Sequence, residues 1–153
     1  ADALLHLNIP HVALDNDPKR FIAAASDGYK VTFGAASDFR MLSTLDAMQA
    51  KSLVLGLSNY VVSKSLTTEV NERFPRLKRF VVVETIEDHA RHQSLGMHPH
   101  LGSTSMDSIA LAGEVLRTLD VSEERIEEWT SAEIERLERD EATASTPETT
   151  EAA

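Results

Sequence analysis

The sequence predicts an α/β fold in which a parallel sheet is flanked by helices. Short apolar runs of strand length alternate with helix-length segments over residues 1–119. Those runs are nearly continuous in Val and Leu rather than alternating, as expected of strands covered on both faces. Pro, Gly and Asp fall at the junctions between the two kinds of segment. Strand and helix in alternation, joined by right-handed crossovers, build a parallel sheet.

The expected strands are HVALD (11–15), YKVTFG (29–34), KSLVLGL (51–57) and RFVVVET (79–85). The helices between them are 18–26, 38–47 and 60–74. Pro18 suits a first helical turn that Asp17 can cap. Asp27-Gly28 ends that helix, and Pro75 stops the long one after Phe74. In the long helix, Val61, Val62, Leu66, Val70 and Phe74 form a stripe directed at the sheet. A further helix at 86–95 ends at Gly96, and a short strand-like segment follows at 97–101. Ser103 or Thr104 can cap a last helix of the body, whose stripe is Ile109, Ala112, Val115, Leu116 and Leu119.

After Asp120 the character changes. VSEERIEEWTSAEIERLERDE is charged and helical in pattern, with Ser122 as an N-cap and a second cap at Thr130 or Ser131 that could divide it. Its apolar positions are Ile126, Trp129, Ile134 and Leu137, of which Trp129 and Ile126 are candidate contacts to a second copy. The end of the chain is rich in Ser, Thr, Pro, Glu and Ala and is expected to be disordered. Three segments result: a body at 1–119, an acidic helical extension at 120–140 and a tail at 141–153.

Charge follows the same division. Residues 1–119 hold 12 Lys and Arg against 13 Asp and Glu, whereas 120–153 hold 3 against 12. A near-neutral body and an acidic extension exclude a nucleic-acid surface, which needs clustered cations to displace counterions. The basic run RFPRLKR (73–79) is expected to be a helix end and turn. With no cysteine there is neither disulfide nor thiolate chemistry. No run approaches the roughly 18 apolar residues of a membrane span, so the segment is expected to be soluble.

In a parallel α/β sheet, ligands bind at the carboxyl ends of the strands. Three ends compete here: Asp15-Asn16-Asp17, Gly34-Ala35-Ala36-Ser37 and Leu57-Ser58-Asn59. Taken as the second, third and fourth strands of a dinucleotide-binding sheet, they would surround the adenosine half of a nucleotide. Asp15 would accept from ribose hydroxyls, Ala35 and Ala36 would leave room for adenine, and Ser58 or Asn59 would close the other side. The plain alternative is that Asp15, Ser37 and Asn59 cap helices and turns. A cofactor turn of the form Gly-x-Gly-x-x-Gly occurs nowhere, and none of the fourteen residues before Asp15 is glycine. His89 and His92 share helical spacing, but EDHARH reads as an exposed polar face, and no metal site is expected. No nucleophile elbow, phosphate loop or zinc-protease helix is present, so no catalytic residue is expected.

Five segments resemble, in order and spacing, a Trk-type nucleotide-binding domain, the N-terminal half of the module that regulates potassium conductance. They are LDNDP (14–18), KVTFGAAS (30–37), VNERFPRLK (70–78), EDHARHQSLGM (87–97) and ALAGEVLRTL (110–119). The likeness spans residues 4–119 and is strongest to the cytoplasmic C-terminal domain of Kef-type potassium-efflux antiporters. It implies a Rossmann-like, non-enzymatic regulatory domain at the cytoplasmic face of the inner membrane. Its partners would be a membrane transporter part and a second copy of itself. The implied cofactor is NAD(H), AMP or ATP, held by Asp15 on the ribose with Asn16, Ala35, Ala36, Ser37, Ser58 and Asn59 around it.

Ala35 stands where the family carries an acid, and Val81-Val82-Val83-Glu84 lacks the arginines of the Kef-type fifth strand, so glutathione sensing is not implied. The family's first strand and glycine-rich turn have no counterpart, and the resemblance reads Ala1 as lying within the helix that follows them. Nucleotide binding by this truncated piece is therefore expected to be weak. Two other readings stay open: a fragment of a dinucleotide-dependent oxidoreductase, and a degenerate ligand-free assembly domain.

Overall fold

Local signals in the sequence account for five of the helix starts. In the computed structural model, which describes residues 1–45, 49–56, 59–102 and 104–144, the order is α1 (Asp2–His6), β1 (Ala13–Asp15), α2 (Pro18–Ser26), β2 (Val31–Phe33), α3 (Phe39–Thr44) and β3 (Ser52–Leu55). It continues with α4 (Tyr60–Arg73), β4 (Lys78–Val83), α5 (Ile86–Gln93), β5 (His98–Leu101), α6 (Ser105–Thr118) and α7 (Glu123–Ala144). Asp17 caps α2, its Oδ1 accepting from the Lys19 and Arg20 amides at 2.8 and 3.1 Å, with Pro18 at the first helical position. Asn59, Thr85 and Asp38 cap α4, α5 and α3 in the same way. Thr104 and Asp107 form a reciprocal capping box at the start of α6. Gly28 and Gly96, both at positive φ, carry the chain out of α2 and α5.

All strand pairings are parallel, and they form two sheets. In one, β1 runs beside β2 with Asp15 opposite Phe33. In the other, β4 lies between β3 and β5, with Val54 opposite Phe80 and Phe80 opposite His98. In the dinucleotide-binding order 3-2-1-4-5-6, β1 and β2 correspond to strands 2 and 3, and β3, β4 and β5 to strands 4, 5 and 6. Among the described residues no strand occupies the central place, so β1 and β3 have one strand neighbour each. As the middle strand, β4 is the most covered: Phe80, Val81 and Val83 are buried, the side-chain pattern expected of a strand packed on both faces. Pro99 is accommodated because β5 is an edge.

One apolar cluster gathers Leu42 of α3 with Leu66 and Val70 of α4 and Phe74 at its C-terminal cap, and Leu14, Val62 and Leu77 pack against it. A second joins Val81, Val83 and Met97, with Leu55 and Leu95 alongside. The stripe of α4 is thus 62, 66, 70 and 74. Val61, expected within it, is 76 % exposed, because it lies a residue out of the four-residue spacing. The RFPRLKR run is not uniformly a surface turn. Arg79 is buried in β4, where its guanidinium donates to Thr67 Oγ1, Asn71 Oδ1 and the Leu95 carbonyl at 2.9, 3.1 and 2.9 Å.

Chain contacts divide the protein into two compact units, Ala1–Ser103 and Thr104–Ala153. In the second unit α6 meets α7, with Ile126 beside Gly113 and the Arg117 guanidinium donating to both oxygens of Glu123 at 2.8 and 3.1 Å. Ile126 and Trp129 are buried within the single chain, which withdraws them as contacts to a second copy. α7 is one continuous helix, so Thr130 and Ser131 do not divide it. It runs through Ala144, into the segment expected to be a disordered tail, and 145–153 lie outside the described residues. Among the described residues no helix is long and apolar enough to cross a membrane.

Candidate functional site

The site is built where β1 and β2 end side by side. Parallel pairing sets Asp15 opposite Phe33, and the Gly34 amide then donates to the Asp15 carbonyl at 3.0 Å. The two tips are therefore tied together, and Ala35 and Ala36, both half-buried, follow directly. At Gly34 a Cβ would fall 2.4 Å from the terminal methyl of Met41, so the tip closes tightly over the start of α3. Ser37 and Asn16 are exposed beside this pair of tips.

Asp15 carries three accepted hydrogen bonds. The Asp17 amide donates to Oδ1 at 2.8 Å; Arg20 donates through Nη2 to Oδ1 at 3.0 Å and through Nε to Oδ2 at 2.8 Å. Arg20 holds the carboxyl below its ordinary pKa, with the Asp17 amide as the next cause. The same pairing raises the pKa of Arg20.

The remaining expected residues divide. Asn59 is at the start of α4, where its Oδ1 accepts from the Val62 amide at 3.1 Å; that cap is the role the plain alternative gave it. Because β3 belongs to the other sheet, strand pairing does not bring Asn59 to Asp15. Ser58 lies outside the described residues. His92 does not sit on an exposed polar face: it is fully buried, with Nδ1 2.8 Å from the Asp88 carbonyl and its ring edge-on to Tyr60. The described residues hold no group of three or more His, Asp or Glu suited to a metal ion.

Sequence reasoning missed Arg20. The signal was there in Asp15-Asn16-Asp17-Pro18-Lys19-Arg20. A helix starting at Pro18 puts Arg20 in its first turn, and helical side chains lean back toward the N-terminus, here toward the end of β1.

For a nucleotide, the residues present fit the adenosine half. They offer a carboxylate at a strand tip and small side chains on the neighbouring tip. They offer no glycine-rich turn for a pyrophosphate.

A comparison with curated proteins found no match. Among solved structures, the chain is similar to the crystal structure of the TrkA-N domain of the inner membrane protein ybaL from Escherichia coli. The TM-score is 0.56 at 17 % identity, covering 75 % of this chain and 84 % of that one, a likeness of fold. The profile of the TrkA-N domain matches residues 1–101, the stretch that carries every strand described above, and the chain belongs to the TrkA-N domain family.

Proposed function

We propose that this chain is the regulatory, nucleotide-binding part of a potassium transport system, of the Kef-type potassium/proton antiporter kind. TrkA-N domains are typically regulatory nucleotide-binding domains of such systems, and membership of that family is the observation that carries the reading. The ligand is an adenine nucleotide, NAD(H) or AMP/ATP. Asp15 receives the ribose hydroxyls, and Ala35 and Ala36 border the base. The nucleotide acts as a signal and undergoes no reaction. It favours one arrangement of the domain, and that arrangement biases an attached membrane part at the cytoplasmic face. A second copy of the domain is the expected companion.

Differential scanning of the full chain with NAD, NADH, AMP and ATP tests this. Ligand at tenfold its Kd stabilises by about 1.4 kcal/mol, which for a chain of this size raises Tm by about 3–6 °C. An unchanged Tm with all four at millimolar concentration would sink the proposal. Turnover of a hydride donor or acceptor would favour a dinucleotide-dependent oxidoreductase instead.

A further inference from the structure

We infer that Arg20 is a latch on Asp15, occupying the carboxylate that a ribose diol needs and making nucleotide binding sensitive to ionic strength. The inference rests on the nucleotide-binding reading of the same strand tips.

The geometry is a bookkeeping of donors. A cis-diol binds a carboxylate with one hydroxyl on each oxygen, and the fork of Arg20 already takes one lone pair on each, Nε on Oδ2 and Nη2 on Oδ1. The Asp17 amide takes a second on Oδ1. Of about four acceptor positions on a carboxylate, one remains, and it is on Oδ2 alone. Two-point capture of a diol therefore requires the guanidinium to leave. Nothing else described at this corner holds it strongly: the Arg20 side chain is 55 % exposed, and its other acidic neighbour, Asp17 Oδ2, is 3.9 Å from Nη1.

The exchange has a sign with salt. An exposed ion pair weakens as mobile ions screen it, whereas hydrogen bonds from an uncharged diol to a carboxylate do so much less. Raising the ionic strength thus loosens the latch and leaves the ligand contact in place. A domain that regulates potassium movement would thereby bind its nucleotide more readily as the salt around it rises.

Adenosine isolates this effect, because it carries the diol and no charge. Its affinity for the full chain is measured by NMR titration in about 0.1 M and about 1 M KCl, between which the Debye length falls from about 10 to about 3 Å. NADH is titrated in parallel. The same titrations are made on Arg20→Ala and Arg20→Gln, which remove the fork at different side-chain volumes. At the lower salt, adenosine and NADH bind about two- to fivefold tighter to both variants than to the natural chain. The natural chain approaches the variants at the higher salt, while the variants change little with adenosine. In an Asp15→Asn background the Arg20 substitutions no longer tighten binding. Equal or weaker adenosine binding by both Arg20 variants overturns the latch and leaves the nucleotide reading standing. Absence of adenosine and NADH binding in every form overturns both.

Discussion

Asp15 and Arg79 show how differently two charged groups are accommodated in one small sheet protein. Asp15 is half-exposed and meets a full opposite charge, so its carboxyl is stabilised in the ionised form, first by Arg20 and then by the Asp17 amide. A carboxyl whose folded pKa is depressed adds stability above its unfolded pKa and loses it as pH falls through the folded value. The pair therefore contributes at neutral pH and stops contributing only in acid, below the ordinary carboxylate range. A carbon-detected NMR titration should find Asp15 ionising below that range in the natural chain and moving upward in Arg20→Ala. An unmoved value would mean that the amide alone holds it down. Arg79, in contrast, is buried among neutral oxygens, and burial lowers its pKa.

Among the elements, α4 tests the packing most directly. Leu66 is buried in the cluster with Leu42, Val70 and Phe74, whereas Val61 on the same helix is exposed. Leu66→Ala should cost about 2–5 kcal/mol, from lost transfer energy and the cavity left behind. Val61→Ala should stay within about 0.5 kcal/mol, as surface changes do. Urea unfolding of both variants decides; equal losses would show that the stripe runs through residue 61. The sequence stripe took in 61 with 62 because adjacent valines both look apolar, although only 62 keeps the four-residue spacing with 66, 70 and 74. The polar residues that α4 and α5 bury, Ser63 and His92, gave no pattern to read. Periodicity reports apolar faces and says nothing of a polar group enclosed by its neighbours. Strands, caps and breakers, in contrast, are local properties, and Asp17, Asn59, Gly28 and Gly96 fell where composition placed them. Arg20 was missed for a third reason: the residue order places it in the first turn of α2, but its pairing with Asp15 also depends on the angle at which that helix leaves β1.

Across the whole molecule, the parallel sheets differ in how well they are held. β4 has a strand on either side and buried side chains along most of its length. β1 and β2 are three residues each and half-buried or exposed throughout. Native-state hydrogen exchange should consequently be slowest at the β4 amides and much faster in β1 and β2, since protection follows local burial and pairing. Equal protection in both sheets would contradict the division. The candidate site then belongs to the less protected sheet, where a bound nucleotide has the most to gain by ordering. Adding NADH at saturating concentration would be read first at the Asp15 and Gly34 tips.

The burial of Arg79 also alters what an approaching anion meets. Formal net charge is −10, yet that sum counts a cation enclosed by the fold. Arg20, Arg40, Arg73 and Arg91 in turn have acids beside them, at Asp15, Asp38, Glu69 and Asp88. Much of the positive charge that the sequence assigns to the body is therefore hidden or already answered. Each such pair cancels a positive and a negative charge together, so the body that carries the strand tips stays near-neutral at long range, and the acidity of the chain lies in residues 120–153. A body with so little net charge exerts little long-range pull on an anion, so binding at the strand tips rests on short-range contacts.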